Sequence, residues 1–404
     1  MPDNFPSIGE PVLDPSEKFA ENGVDKYDLP IADGGLIDEV THPALYRKYA
    51  TSTYEEEGTL TASDAAYKDL FGVSTSVYGD RLVVGAPDEG TAALGGGKVY
   101  IYDWNGSIYV EVGQLTASDA SSGDRFGFST SVYGDRLVVG ALFESTATTE
   151  AGKVYIYDWN GSIYVEVGQL TASDAAYQDF FGVSTSVYGD RLVVGAFNED
   201  TAATDGGKVY IYDWNGSIYV EVGQLTASDA FDSDHFGLSA SVYGGRLVVG
   251  APDEDTAASG GGKVYIYDWN GSIYVEVGKL TASDASSGDR FGRSTSVYGG
   301  RLVVGATDED TAATDGGKVY IYDWNGSTYT EIGQLTASDA AYKDFFGVSA
   351  SVYGDRLVVG APNEDTATTD AGKVYIYDES ITANRPTMTS PDPLCPYRIV
   401  ADLT

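Results

Sequence analysis

The sequence predicts an all-β fold: a six-bladed β-propeller of four-stranded antiparallel blades, closed by an N-terminal strand and carrying an extended arm at each end. The first observation is a near-verbatim repeat of 55 residues, in which Leu-Thr-Ala-Ser-Asp-Ala begins at residues 60, 115, 170, 225, 280 and 335. A fixed period of this length is typical of an array of identical supersecondary units. The second observation is that each repeat contains signals for four short strands and none for a helix, and such units repeated radially form propellers.

The strands are best seen in the first repeat, where we predict them at 71–78, 81–86, 98–103 and 108–112. The first strand is rich in Ser and Thr and ends at the tight turn Tyr78-Gly79-Asp80. An acidic, Gly-rich loop at 87–97 leads to the third strand, which alternates Val and Ile with Tyr, the period of a strand. Asn105-Gly106 then favours a type I′ hairpin turn into the fourth strand.

The two ends of the array complement each other. The sixth repeat stops after Tyr377-Asp378 and lacks a fourth strand, whereas residues 54–60 align with the complete fourth strand at 109–115. We therefore predict that 54–59 pair with 372–378 and close the ring, which removes two exposed sheet edges. The predicted organisation is an N-terminal arm, a propeller and a C-terminal arm, at residues 1–48, 49–378 and 379–404.

Both arms differ in composition from the repeats. Six of the 13 prolines lie in residues 2–43 and four lie in 386–396. Pro-rich chain of this kind forms extended segments that do not fold alone. We expect the arms to anchor the propeller to other assembly subunits by docking their apolar residues, especially those of 36–49 and 394–403. Cys395 is the single cysteine, so an internal disulfide is excluded.

The chain is strongly acidic, with a net charge of −37. Such a surface repels nucleic acid, which is bound through Lys and Arg, and it repels anionic membranes. It suits solubility at high salt or the binding of cations.

No run of apolar residues approaches the length of a membrane span, which argues against membrane insertion. The N-terminus lacks the basic and apolar regions of a signal peptide. We therefore expect an extracellular or virion-surface protein that leaves the cell by another route or within a particle released by lysis.

The block Phe-Gly-x-Ser…Gly-Asp-Arg-Leu-Val-Val-Gly-Ala-Pro resembles the FG-GAP repeat, whose family includes the propeller of integrin α-chains and many bacterial surface and secreted proteins. The flanking Gln-Leu-Thr-Ala-Ser-Asp-Ala is most similar to the bacterial, marine-microbial or viral branch. The resemblance extends over about residues 60–378. It implies a propeller fold and an interaction role, although one fold hosts many functions. Integrin propellers have seven blades, whereas this sequence supports six.

Two aromatic positions recur in the repeats. The Phe of each Phe-Gly step starts the inner strand, and we expect it to be buried between blades; the six are Phe71, Phe126, Phe181, Phe236, Phe291 and Phe346. The five tryptophans lie one per hairpin, at Trp104, Trp159, Trp214, Trp269 and Trp324. Their parity with strand tyrosines favours packing between blades, and the alternative is a ring of platforms that stack on sugars.

Calcium is the one metal that the sequence suggests. Several integrin repeats carry an Asp-x-Asp-x-Asp-Gly calcium loop between the first two strands, but here that loop is shortened to Tyr-Gly-Asp or Tyr-Gly-Gly. One carboxylate cannot supply the roughly six to eight oxygens that calcium requires. We instead expect any calcium in the acidic loops, with candidate ligands Asp200, Asp205, Asp308, Asp310, Asp315, Asp365 and Asp370. The alternative is that these loops are simply solvated.

A candidate ligand-binding face follows from strand direction, which places the second-to-third loops and the blade-to-blade connections together. Nearly all differences between repeats lie on this face, and in integrins the corresponding face binds ligand. Loops on a rigid scaffold commonly carry recognition. The candidate residues are Tyr67, Asp88, Glu89, Phe143, Glu144, Phe197, Asp200, Phe231, His235, Asp308 and Asp310. The alternative is sequence drift in unconstrained loops.

Catalysis finds little support, because the chain contains only two histidines and one cysteine and shows no nucleophile–His–acid pattern. We predict a non-enzymatic structural or adhesive interaction module on the exterior of a cell or virus particle. It would bind a protein or glycan through the variable face and be anchored by its arms. Two alternatives are a glycan-binding, lectin-like propeller and, less favoured, a propeller-fold enzyme.

Overall fold

The computed structural model describes residues 50–365, 367–383, 388–389 and 398–399. Every regular element among these residues is a β-strand, which confirms the all-β class. Tyr54–Glu379 form one compact unit, the propeller, to which the following description applies. The predicted docking of the arms falls almost entirely on residues outside the described part of the chain and stays a prediction.

The strands follow one another in a regular order. The N-terminal strand β1 spans Ala50–Leu60. Blade 1 contains β2 (Ser74–Tyr78), β3 (Arg81–Ala86), β4 (Lys98–Trp104) and β5 (Tyr109–Leu115). Blade 2 contains β6 (Phe126–Tyr133), β7 (Arg136–Ala141), β8 (Lys153–Trp159) and β9 (Tyr164–Leu170). Blade 3 contains β10 (Ser184–Tyr188), β11 (Arg191–Ala196), β12 (Lys208–Trp214) and β13 (Tyr219–Leu225). Blade 4 contains β14 (Ser239–Tyr243), β15 (Arg246–Ala251), β16 (Lys263–Trp269) and β17 (Tyr274–Leu280). Blade 5 contains β18 (Phe291–Tyr298), β19 (Arg301–Ala306), β20 (Lys318–Trp324) and β21 (Tyr329–Leu335). Blade 6 contains β22 (Ser349–Tyr353), β23 (Arg356–Ala361) and β24 (Lys373–Ala383). Outside the propeller unit, β25 (Met388–Thr389) pairs with β26 (Arg398–Ile399).

Each blade is an antiparallel meander, in which successive strands pair from the inner to the outer edge. Blades 1 to 5 use four consecutive strands, as in the order β2-β3-β4-β5. Blade 6 has the order β1-β24-β23-β22, so its outer strand comes from the N-terminal end of the array. This pairing confirms the predicted closure of a six-bladed ring.

The Phe-Gly step turns the chain from the blade-to-blade connection into the inner strand. Gly72 has a φ of +94°, a region that residues with a Cβ rarely adopt. A Cβ there would also lie 3.0 Å from the carbonyl oxygen of Lys373 in blade 6. In four blades the strand begins only after this step, at Ser74 in blade 1 rather than at the predicted residue 71. In blades 2 and 5 the strand includes the step, with an irregular register across it. Phe71 is completely buried, and its ring packs edge-on against Tyr100 at 5.4 Å.

Serine hydroxyls join neighbouring inner strands around the axis. The Ser74 hydroxyl donates to the carbonyl of Gly127 in blade 2 at 2.8 Å, and the Ser76 hydroxyl accepts the amide of Val132 at 2.9 Å. The junction of blade 6 with blade 1 repeats the pattern, because Ser349 donates to Gly72 at 2.8 Å. The Ser- and Thr-rich composition of the first strand therefore serves contacts between blades.

The six inner strands surround an axial channel, and each strand contributes its last four residues to the lining. The last residue of each inner strand is a tyrosine, and the six are Tyr78, Tyr133, Tyr188, Tyr243, Tyr298 and Tyr353. Neighbouring ring centroids are 4.6–4.9 Å apart, so the rings form a closed circle. This circle lies at the end of the channel that carries the Tyr-Gly turns.

The tryptophans pack between blades, as predicted. The Arg81 guanidinium lies 4.1 Å from the ring centroid of Trp159 in the next blade. A bidentate pair with Asp103, at 2.9 and 3.0 Å, holds the guanidinium in place. The arrangement recurs at four further junctions, and the blade 5 to blade 6 junction departs from it. Because a guanidinium covers one face of each ring, that face is closed to sugars.

A buried lysine fastens each connection to its blade. The Lys98 ammonium, whose side chain is 3% exposed, lies 2.8 Å from Asp64 and 3.1 Å from Glu89. The Tyr100 hydroxyl donates to the same Asp64 carboxylate at 2.6 Å. Two carboxylates thus balance the buried ammonium, and the phenol orients one of them. The network recurs in the other five blades.

Raising the pH above about 10 is expected to unfold the propeller steeply. Burial raises the pKa of the Tyr100 and Tyr102 phenols because a buried phenolate would lose its hydration. Burial alone would lower the pKa of Lys98, but its bonds to Asp64 and Glu89 outweigh that effect and raise it. Both kinds of group keep protons in the folded state that the unfolded chain releases. Their stabilisation is therefore complete below pH 10 and declines as the pH rises further.

Circular dichroism and tyrosinate absorbance, followed together during alkaline titration, check this expectation. Loss of β-structure should coincide with ionisation of most tyrosines. Gradual ionisation of all the tyrosines near their ordinary pKa, with the β-signal intact, would contradict it.

Candidate ligand-binding face

The acidic loop between the second and third strands of each blade lies beside the connection that enters the next blade. Backbone hydrogen bonds join them: the amides of Arg125 and Phe126 donate to the carbonyls of Gly95 and Gly96, at 3.1 and 3.0 Å. Equivalent bonds recur at the other junctions, including the closing one. These segments, residues 64–71 and 87–97 and their equivalents, therefore share one face, which we call the variable face. The opposite, invariant face carries the Tyr-Gly turns and the Asn-Gly hairpins.

One position on the variable face combines backbone strain with sequence variation. The residue before each Phe-Gly step has a φ of 54–58°, and these residues are Leu70, Arg125, Phe180, His235, Arg290 and Phe345. Non-glycine residues adopt this left-handed region at a cost. The strain persists because the backbone bonds to the neighbouring loop hold the residue there, and strained positions of this kind cluster at functional sites.

Nine side chains from five blades form an unbroken series of contacts on this face, which we call the arc. In order around the axis they are Asp88, Arg125, Phe143, Phe180, Phe197, His235, Asp253, Arg290 and Asp308. They alternate between the loop that leaves one blade and the strained position that enters the next. The arc therefore depends on the backbone bonds that hold loop and connection together.

The middle of the arc is aromatic. The Phe143 ring packs edge-on against Phe180 at 5.2 Å, and Phe180 stacks on Phe197 at 5.2 Å with 15° between the planes. Phe197 in turn meets the edge of the His235 imidazole at 5.2 Å. These rings belong to an apolar cluster that comprises Phe128, Leu142, Phe143, Phe180, Val183, Phe197 and Leu238.

The arc is charged at both ends. At one end His235 Nδ1 lies 2.6 Å from Asp253, and Arg290 bridges Asp253 and Asp308 at 3.1 Å each. Burial favours the protonated form of Asp253, but the hydrogen bond from His235 and the Arg290 charge hold its pKa below the ordinary value. The pKa of Asp308 is raised, because burial outweighs the attraction of Arg290.

At the other end of the arc, one arginine contacts both a carboxylate and an aromatic ring. Arg125 forms an ion pair with Asp88 at 2.7 Å, and its guanidinium lies 4.9 Å from the Phe143 ring centroid. The arc thus offers an aromatic surface flanked by charged groups that are already paired with each other.

Comparison with known proteins agrees with this architecture. The FG-GAP repeat matches the chain six times, at residues 54–102, 109–157, 164–212, 219–267, 274–322 and 329–377. The chain belongs to the FG-GAP repeat family. It is also 28% identical to human integrin alpha-11 over 227 residues, which cover 48% of this chain and 19% of the integrin. The match therefore spans about a fifth of that relative. Each FG-GAP match begins on the outer strand of one blade and ends on the third strand of the next.

The predicted site residues of this FG-GAP propeller fall into separate groups. The arc brings together Asp88, Phe143, Phe197, His235 and Asp308. The structure does not bring Tyr67 and Phe231 to the arc; they lie exposed on the outer connections, with 63% and 70% of their surface accessible.

Glu89 and Glu144 were predicted on the ligand-binding surface, but the structure buries both. Glu89 is 7% exposed and Glu144 9%. Each carboxylate forms an ion pair with the buried lysine of its own blade. Glu89 lies 3.1 Å from the Lys98 ammonium, and Glu144 lies 3.0 Å from that of Lys153. Their carboxylates therefore balance internal charge and do not face a ligand.

Most of the predicted calcium ligands form the turns of the acidic loops. The carboxylates of Asp200, Asp310 and Asp365 accept the backbone amides of Asp205, Asp315 and Asp370, at 2.8, 2.8 and 2.9 Å. Among the described residues, no three His, Cys, Asp or Glu side chains are grouped to hold a metal ion. Calcium binding stays a prediction.

The arc contains residues that the sequence did not single out. Arg125, Phe180, Asp253 and Arg290 were absent from the candidates, although three of them occupy the strained position before a Phe-Gly step. The signal was available, because this position reads Leu, Arg, Phe, His, Arg and Phe between invariant neighbours.

No helix among the described residues is long and apolar enough to cross a membrane.

Proposed function

We propose that this FG-GAP propeller is a non-enzymatic interaction module that binds a protein partner through the arc on its variable face. The observation that carries the proposal is the arc itself. It is the place where differences between otherwise near-identical repeats produce one continuous set of side-chain contacts. A rigid ring with one differentiated surface suits recognition.

The arrangement of charges favours binding over catalysis. His235, Asp253 and Arg290 are engaged with one another, and Arg125 is engaged with Asp88. These pairs orient the rim around the aromatic centre. Aromatic and arginine side chains are also the residue types that dominate protein–protein contact surfaces.

We further propose an exterior location, on a cell or virus particle, with the arms anchoring the propeller to other subunits. The net charge of −37 supports this setting, since a strongly charged surface keeps a protein soluble in salt. The resemblance to integrin α-chains, whose corresponding face binds ligand, supports the choice of face.

A lectin-like role through the tryptophans is less favoured than protein binding. Stacking on sugars requires open indole faces. The Arg356 guanidinium instead covers one face of Trp104, at 4.1 Å from the ring centroid, and Tyr109 forms an edge contact with the same ring. The same pattern covers the other four tryptophans.

Panning a library of displayed twelve-residue peptides against the full-length chain tests the proposal. Enriched peptides are then measured against the double variant Phe143→Asn with Phe197→Pro. Both substitutions install residues found at the same positions of other repeats, such as Asn363 and Pro362, so the fold is retained. We expect the affinity to fall about tenfold or more, because the aromatic contact surface is removed.

The matched control lies on the invariant face. Ile163→Thr installs the residue that stands at Thr328 of blade 5, and it should leave peptide binding unchanged. Binding that survives the double variant, or that is lost on the control, contradicts the proposed face. A library that yields no peptide dependent on the arc contradicts it equally.

A further inference from the structure

One arginine beside the arc has a side chain without a hydrogen-bond or ion-pair partner among the residues that the structure describes. The position that follows each Phe-Gly step holds Val73, Phe128, Val183, Leu238, Arg293 and Val348. Five of these residues are apolar, and three belong to the apolar cluster at the middle of the arc. Arg293 places a guanidinium where every other blade places an apolar side chain.

The Arg293 side chain is half-buried, and its guanidinium makes no hydrogen bond or ion pair with any residue that the structure describes. The backbone amide of Arg293 donates to the carbonyl of Arg290 at 3.1 Å. Burial and the nearby Arg290 charge lower the pKa of its guanidinium to about 10. Asp253 and Asp308 are near, but Arg290 and His235 already bind these carboxylates. A partly buried charge without a partner is costly, and the cost is relieved when an anion arrives.

The apolar cluster extends over blades 2 to 4 and so reaches the blade next to this charge. Leu238, a member of the cluster, occupies in blade 4 the position that Arg293 occupies in blade 5. Phe197, in the same cluster, contacts His235 at 5.2 Å, and His235 lies 2.6 Å from Asp253. The unpartnered cation and the aromatic surface therefore border the same region of the variable face.

The local charge also departs from that of the whole chain. The three aspartates of the arc (Asp88, Asp253 and Asp308) are matched by three arginines (Arg125, Arg290 and Arg293), whereas the whole chain carries a net charge of −37. An anionic group therefore meets less repulsion here than over most of this acidic surface. Carboxylates pair with guanidinium groups through two parallel hydrogen bonds, which adds both strength and direction.

We propose that Arg293 and the apolar cluster form a subsite for an acidic peptide segment, in which an Asp or Glu carboxylate binds Arg293 and a neighbouring aromatic or aliphatic side chain packs on the cluster. This inference rests on the proposed function of the variable face and names the chemistry of its partner. The other five blades lack the cation, so the ring carries one such subsite.

The test uses the peptides enriched from the displayed library and two variants of the full-length chain that each remove one positive charge. Arg293→Val installs the residue that three other blades carry, and Lys279→Gln, on the outer strand of blade 4, installs the residue found at Gln114. Both variants follow the repeat and should fold. We expect enriched peptides to contain Asp or Glu next to an apolar residue, and Arg293→Val to weaken them about tenfold or more. Lys279→Gln should leave the affinity unchanged.

A change of the peptide's acidic residue to its amide completes a double-mutant cycle. It should weaken binding to the wild-type chain and cause no further loss with Arg293→Val. Peptides that depend on Phe143 and Phe197 but are indifferent to Arg293→Val overturn this inference and leave the proposed function standing. Peptides that are indifferent to all these residues overturn both.

Discussion

Replacing Phe181 by alanine is expected to lower the free energy of unfolding by about 3–5 kcal/mol, the usual cost of truncating a buried aromatic residue. Phe181 is completely buried and packs edge-on against Tyr210 at 5.3 Å and Tyr212 at 6.3 Å. Its cluster also includes Val138 and Val154 of the preceding blade, so the cavity would open between two blades. Urea denaturation followed by circular dichroism measures the loss.

Phe231→Ala is the matched control, because it removes the same kind of ring from a position that is 70% exposed. It should change the stability by less than about 0.5 kcal/mol. Equal losses for the two variants would show that the Phe-Gly phenylalanine does not hold the blades together.

Much of the fold could be predicted from the period alone. A 55-residue repeat with four strand signals determines the blade, and the missing fourth strand of the last copy indicates how the ring closes. The limits of the inner strand were less accurate, because the glycine of every Phe-Gly step has a positive φ and in four blades the strand begins only after the step. Alternation patterns do not reveal such a conformation, since Gly is neutral in the hydrophobic pattern.

The candidate site was only partly predictable. Variation between repeats singled out the variable face and, of the residues that the structure brings into the arc, Phe143, Phe197 and His235. It did not reveal that Phe180 stacks between them, because the contact depends on backbone bonds between segments that are distant in sequence, as from Phe180 to Glu150. Charge in the acidic loops was also misleading at Glu89, whose side chain turns inward to a buried lysine.

Invariant positions were hard to interpret for the opposite reason. Tyr78 and its five equivalents are the same in every repeat, and the sequence offers no contrast that separates a strand tyrosine from one that lines the axis. The circle of rings follows only once six blades are arranged about one channel. Near-identity between repeats thus predicts architecture well and hides the residues that act collectively.

The junction between blades 5 and 6 is where the ring departs from its own repeat. At the other junctions an arginine lies over a tryptophan, as Arg246 does over Trp324 at 3.9 Å. In blade 6 the tryptophan position is Glu379, and Arg301 pairs with it at 2.8 Å. The Arg301 side chain is 4% exposed and that of Glu379 is 1% exposed, so both charges are buried.

Replacing Arg301 by alanine is therefore expected to destabilise the propeller by about 3–5 kcal/mol, because the buried Glu379 carboxylate loses its balancing charge. The phenol of Tyr54 on the closing strand loses its bond to Arg301 as well, at 2.6 Å. Arg136→Ala is the matched control. It removes an arginine over Trp214 and leaves no buried carboxylate, since its partner Asp158 is 40% exposed. We expect it to cost about 1–2 kcal/mol.

A second substitution separates the effect of the unpaired Glu379 carboxylate from the effect of the packing that Arg301→Ala removes. Glu379→Trp installs the residue of the other five blades, and adding it to Arg301→Ala removes the buried carboxylate. Urea denaturation of the double variant should therefore show a stability above that of Arg301→Ala alone. If the two substitutions instead add their losses, the ion pair is not what joins the last blade to its neighbour. The closing strand would then be held by its backbone pairing with β24 alone.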